Sequence, residues 1–197
     1  MKSGREGNVS RRMSTIVAVL LSFAVIAASA QEIAMEDRLV SITHEIRMSL
    51  ALATIAANSP TLADLRLHAQ QLVNLLEGTA GIHFVRLEEE AGTSSGLLME
   101  LNDLGPRFEA AALPDGVRAR VVASARNVTT FLELALSATL NGLSQRRLGE
   151  ANADLLRAYA FLLAAYEKPC EAAYVPGWWT ILRAYNLSTR LDGTQES

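Results

Sequence analysis

The stretch 117–140, VRARVVASARNVTTFLELALSATL, decides the fold class. Val121, Ala125, Val128, Leu132, Ala135 and Thr139 recur every three or four residues, with Leu136 beside them. That spacing lays one apolar stripe along a helix and leaves Arg118, Arg120, Arg126 and Glu133 off it. A strand would need alternation of period two, and none is sustained here. Pro114-Asp115-Gly116 breaks the chain before this helix, and Asn141-Gly142 is the predicted stop after it.

The same periodicity extends outward. Before it, residues 32–57 carry Met35, Leu39, Ile42, Ile46, Leu50, Ala53 and Ala57 on one stripe, ended by Asn58-Ser59-Pro60. Thr61 followed by Asp64 forms a capping box, and Leu62, Leu65, Ala69, Leu72 and Leu76 share a face up to the C-cap glycine, Gly78. Residues 96–112 predict a shorter helix, with Gly105-Pro106 as a bend or break. After 117–140, residues 145–167 align Leu148, Leu155, Tyr159, Leu162 and Tyr166, and Pro169 stops them. Four long helices joined by short connections predict an all-α protein. The expected architecture is an antiparallel four-helix bundle with an accessory helix after the second bundle helix. A short aromatic C-terminal helix, 178–190, completes it. That segment holds both tryptophans, Trp178 and Trp179. It packs over one end or a groove of the bundle, because large aromatic faces are costly to leave wet, with a homodimer interface or a membrane-surface contact as the alternative.

The N-terminal 30 residues predict export. Arg5, Arg11 and Arg12 precede the uncharged apolar run 16–28, IVAVLLSFAVIAA, and Ala28-Ser29-Ala30 offers small residues for cleavage. This is the three-part order of a signal peptide. The run is 13 residues long, against roughly 20 for a membrane span. A retained anchor is the alternative. The expected organisation is a signal peptide over 1–30 and one helical-bundle domain over 31–197, working in the periplasm or outside the cell. The leader carries four basic residues and one acidic residue, so the formal charge of −3 becomes −6 on its removal. An acidic chain without a Lys/Arg cluster argues against nucleic acid, and against an anionic membrane once the leader is gone. Cys170 is the one cysteine. It rules out an intramolecular disulfide and offers an intermolecular bridge as a second route to a homodimer.

Chemistry is sparser. The histidines are His44, His68 and His83. His68 with His83 or Glu77 is the candidate metal set, and the same residues are the candidates for a non-covalent haem. His44 with Glu45 lacks a diagnostic spacing. His44 and Met48, four residues apart, point the same way and cannot grip both faces of a haem. Glu-x-x-His, His-Glu-x-x-His and Cys-x-x-Cys-His are all missing. Glu88-Glu89-Glu90 reads as a solvated run, and no phosphate-cradling glycine loop is present. Asn127-Val128-Thr129 and Asn186-Leu187-Ser188 match glycosylation acceptors in form. No arrangement singles out a nucleophile.

His68-Ala69-Gln70-Gln71-Leu72-Val73-Asn74-Leu75-Leu76-Glu77-Gly78, followed by Gly96-Leu97-Leu98, resembles a pattern in uncharacterised exported helical proteins of bacteria. In those, a histidine-bearing helix ending in Asn…Glu-Gly precedes a loop and a Gly-Leu-Leu helix start. The resemblance spans residues 68–98 and implies an extracytoplasmic bundle without naming a reaction. Gln71 stands where a second histidine is common, which removes a ligand from a metal reading. The expected function is therefore non-enzymatic binding of a partner or small ligand in the cell envelope, with metal or haem binding as the alternative.

Overall fold

A computed structural model describes residues 33–87, 95–166 and 177–187. The chain divides into two units, Met1–Val40 and Ser41–Ser197. In the first, residues 33–40 are described and are helical. Its leader lies outside the described residues, as do Glu88-Glu89-Glu90, Cys170 and Ser188.

Among the described residues the protein is all helical, with no strand. Six helices follow in order: α1 (Ile33–Ala57), α2 (Leu62–Glu77), α3 (Leu97–Ala110), α4 (Asp115–Ser144), α5 (Leu148–Tyr166) and α6 (Trp178–Ala184). By length and composition α1 is able to cross a membrane, its most apolar window having a mean hydropathy of 1.2. Ile42, Ile46, Ala53 and Ala57 are nevertheless buried within the chain, while Ser41, His44, Thr54 and Asn58 are exposed. That one-sided pattern belongs equally to a core helix of a water-soluble protein.

The Thr61 cap forms as expected: its hydroxyl accepts the Asp64 N–H at 3.1 Å and donates to the Asp64 carboxylate at 2.6 Å. Leu65, Ala69, Leu72 and Leu76 of α2 are buried, and so is every residue from Gln71 to Leu76. The second half of α2 is therefore enclosed on all sides. Helix α3 continues through Gly105-Pro106, so of the expected bend or break the break does not occur. Pro106 and Asn102, one turn earlier, are both exposed. The bond that proline forfeits thus lies on the wet side, where water serves the freed carbonyl.

The longest helix, α4, is 30 residues and touches α2, α3, α5 and α6. Pro114 caps its start, the Pro114 carbonyl accepting from Val117 and Arg118 at 2.8 and 2.9 Å. The expected stop at Asn141-Gly142 is overridden, and the helix continues to Ser144. Gly142 is buried there against Leu155 of α5, where any side chain would collide with the leucine. Packing thus explains why this glycine sits inside a helix. In α5 the buried positions are Ala151, Asp154, Leu155, Ala158, Leu162 and Ala165. The seam therefore runs over alanines and leaves Tyr159 and Tyr166 at its margin. Gly142 meets it from α4, on which Ala135 and Ala138 are also buried. Small residues on both sides let two backbones approach closely and bury the seam without bulk. The expected aromatic helix is shorter than 178–190 and ends at Ala184; Trp178, Trp179, Ile181 and Leu182 are buried.

Candidate functional site

The residues proposed from sequence fall into two separate arrangements. Glu77 closes α2 and His83 lies in the loop that follows. They meet: Glu77 Oε1 is 2.7 Å from His83 Nδ1, and Glu77 Oε2 accepts the His83 backbone N–H at 2.9 Å. The glutamate side chain is mostly covered and the imidazole is 41% exposed. His68 is not part of this pair. Its Nδ1 lies 3.0 Å from Gln71 Oε1 on the same helix. The structure thus brings together two of the three predicted residues and turns the third to a side-chain amide. Among the described residues no group of three or more His, Cys, Asp or Glu side chains is placed to hold one metal ion.

The pair belongs to a larger fastening of the loop onto α2. Asn74, which is buried, clamps Val85 at both ends, donating from Nδ2 to the Val85 carbonyl at 2.6 Å and accepting the Val85 N–H at 3.1 Å. Gln70 Nε2 donates to the His83 carbonyl at 2.8 Å and to Asn74 Oδ1 at 3.0 Å. A loop without secondary structure leaves its peptide groups to find partners, and α2 supplies them from one side-chain column at 70, 74 and 77. Gly78 (φ +73°) and Gly96 (φ +77°) then bring the two ends of the 79–95 excursion into backbone contact. The Asn…Glu-Gly and Gly-Leu-Leu pattern quoted above is therefore a latch for a loop.

A different acid, weighed from sequence only as a partner of His44, is buried. Glu45 of α1 is 3% exposed, and its Oε2 has no hydrogen-bond partner among the described residues. Ser41, one turn back, donates weakly to Oε1 at 3.5 Å, and Ser49 donates to the Glu45 backbone carbonyl. Burial pushes the carboxyl pKa up to about 7, Glu100 of α3 adds to the rise through its charge, and the Ser41 hydroxyl opposes it. Glu100 in turn accepts from Ser95 Oγ at 2.6 Å. Beside Glu45, the Trp178 indole N–H donates to Thr43 Oγ1 at 2.8 Å in a buried bond between α6 and α1. The available signal in sequence was the Ser41, Glu45, Ser49 column at spacing four, running next to the apolar stripe.

A cleft of about 410 Å³ lies between the first turns of α4 and the exposed side of α6. Leu113, Val117, Val121 and Ala184 supply apolar wall, and Arg120 and Arg183 stand on its lining. Arg120 donates through Nε to the Gly116 carbonyl at 3.2 Å, which leaves its terminal nitrogens available. A second groove, of about 310 Å³ between α3 and α4, has its Arg126 already 3.5 Å from Glu109. Among the described residues neither Arg120 nor Arg183 has an acidic partner, so the first cleft presents positive charge over a largely apolar floor. No protein-family model, curated protein or solved structure matches the chain.

Proposed function

We propose that the protein is exported and binds a small ligand in the cell envelope without catalysing a reaction. In this reading residues 1–30 are a signal peptide, and 31–197 form one domain. The domain is an antiparallel four-helix bundle of α1, α2, α4 and α5, with α3 as the accessory helix and α6 closing it. The cleft between α4 and α6 carries the reading: Arg120 and Arg183 flank a lining that is apolar apart from Thr180. That chemistry suits an amphiphile with one anionic head and an apolar body. Removing the leader leaves an acidic chain, which supports a small ligand over nucleic acid.

Trp178 and Trp179 are buried at the start of the helix whose Thr180, Arg183 and Ala184 line the cleft, and indole fluorescence is the probe of binding. Mature protein should show saturable quenching or a spectral shift with decanoate below its micellar range. R120A/R183A should weaken that binding at least about tenfold, the order expected for losing charge-assisted hydrogen bonds. An equal response to decyltrimethylammonium, or unchanged affinity in the double variant, overturns the reading. N-terminal sequencing of protein from the cell envelope should begin at Gln31.

The alternative is a metal- or non-covalent haem-binding bundle using His68 with His83 or Glu77. It is favoured by the 2.7 Å approach of His83 to Glu77. Metal analysis and a visible spectrum of protein purified without a histidine tag decide it, and loss of bound metal in H83A would assign the ligand.

A further inference from the structure

We propose that the outer face of α5 is a dimer seam, on which a second copy of the chain docks antiparallel about a two-fold axis level with Ala158. The seam lies apart from the α4–α6 cleft and does not depend on what the cleft binds. Helix α5 is apolar on two opposite sides. Ala151, Leu155, Ala158, Leu162 and Ala165 are buried within the chain. Ala153, Leu156, Ala160 and Leu163 are exposed, the two leucines at 55% and 41%. At about 100° per residue these four fall within an arc of about 80°, on the side away from the buried set. A helix apolar all round has the composition of an enclosed helix, and the chain's own fold covers one side of this one.

Spacing and size identify the occupant. The exposed positions 153, 156, 160 and 163 step by three, four and three residues, the repeat of a two-stranded coiled-coil seam. Alanine and leucine alternate along them. Turning a second copy antiparallel about the level of residue 158 sets Leu156 of each copy opposite Ala160 of the other, and Ala153 opposite Leu163. Every large side chain then meets a small one, so a single stripe complements itself, as a two-fold interface requires. A parallel pair would set leucine on leucine and alanine on alanine, leaving overfilled and underfilled layers.

Charge does not oppose the approach. Between Ala153 and Leu163 the exposed ion is Arg157, and its guanidinium is held by Asp154 at 2.5 Å. Each copy therefore arrives with this cation already paired. The aromatic candidates for a homodimer, Trp178 and Trp179, are buried within their own chain. A helix of 19 residues is about 28 Å long and about 10 Å across. Its footprint is smaller than the roughly 800 Å² per partner of a stable interface, so the dimer forms reversibly with concentration.

Sedimentation velocity on protein expressed from the full chain tests this from about 10 µM to about 1 mM, where weak contacts of this class associate. The weight-average mass should climb from that of one chain towards that of two. A160L sets leucine against Leu156 of the other copy and should weaken association at least about tenfold, although it adds apolar surface. L156A/A160L restores one large and one small residue to that layer and should return association to within about threefold of wild type. A chain that stays monomeric throughout overturns the proposal, and co-sedimentation of that monomer with phosphatidylcholine vesicles would assign the face to a membrane instead. An A160L variant that associates as well as wild type or better also overturns it, as does a swapped pair that melts like wild type without recovering association. Should either variant fold poorly, A153L and A153L/L163A put the same question to the outer layer, and the same outcomes decide.

Discussion

Gly78 and Gly96 occupy one another's side-chain space. A Cβ on Gly78 would run into the Ser95–Gly96 peptide, and a Cβ on Gly96 into the Glu77–Gly78 peptide. Both residues also hold a positive φ. The close approach joins the end of α2 to the start of α3, so the chain between them is pinned at its base.

G78A and G96A should therefore each lose about 2 kcal/mol or more, since a left-handed conformation and a backbone collision act together. G149A provides the contrast. Gly149 is exposed in the first turn of α5 with nothing within 4 Å of its missing Cβ. That substitution should leave stability unchanged or raise it by up to about 1 kcal/mol, from helix propensity. Urea midpoints compare the three variants.

N74A should free the segment 79–87 from α2. It removes both side-chain bonds to Val85 and strands two backbone groups of that residue. The cost is about 1–3 kcal/mol. Amide exchange at Val85 should accelerate more than exchange in α5, which separates loop release from global unfolding.

L132D tests the central seam. Leu132 of α4 has no exposed surface. An aspartate there must either ionise in the core or protonate, and about 3–5 kcal/mol is lost. Cooperative thermal melting at an unchanged temperature would contradict the assigned face of α4.

Glu45 sets a pH dependence of overall stability. Its pKa rises from 4.5 to about 7 on folding. The folded state thus holds the proton more tightly than the unfolded one. The penalty is absent below about pH 4.5, grows as pH rises, and is complete above about pH 7. Its full size is about 3 kcal/mol. Urea midpoints should fall between pH 5 and pH 8 in wild type, and E45Q should flatten that decline. Tyr185, whose pKa is also raised by burial, titrates above this window.

Much of the local structure was legible in the chain. The Thr61 cap, the Gly78 stop and the α2 and α4 stripes rest on spacing and on single-residue preferences, which neighbours in sequence decide. The errors have a common cause. Pro106 reads as a break, yet the lost bond falls on the solvent side of α3. Gly142 reads as a stop, yet Leu155 packs where a side chain would stand. In the expected α5 stripe Leu155 and Leu162 are buried as read, while the remaining buried positions are Ala151, Asp154, Ala158 and Ala165 and not Tyr159 or Tyr166. Each outcome depends on a partner far away in sequence.

The candidate site divides along the same line. Glu77 and His83 were nameable in advance as chemistry-bearing residues six positions apart, and their meeting needed only the turn after Gly78. Glu45 was legible only through the Ser41, Glu45, Ser49 column beside the apolar stripe, since its burial depends on helices packed against α1 and not on its sequence neighbours. Sequence by itself determined the helical class, most helix boundaries and the expectation of export, because periodicity, capping and leader pattern are local properties. Tertiary structure alone decided which faces are sealed, that His68 and His83 part company, and that Glu45 lies buried within reach of the charge of Glu100. Desolvation and charge repulsion act through space, and only the packed chain specifies those distances.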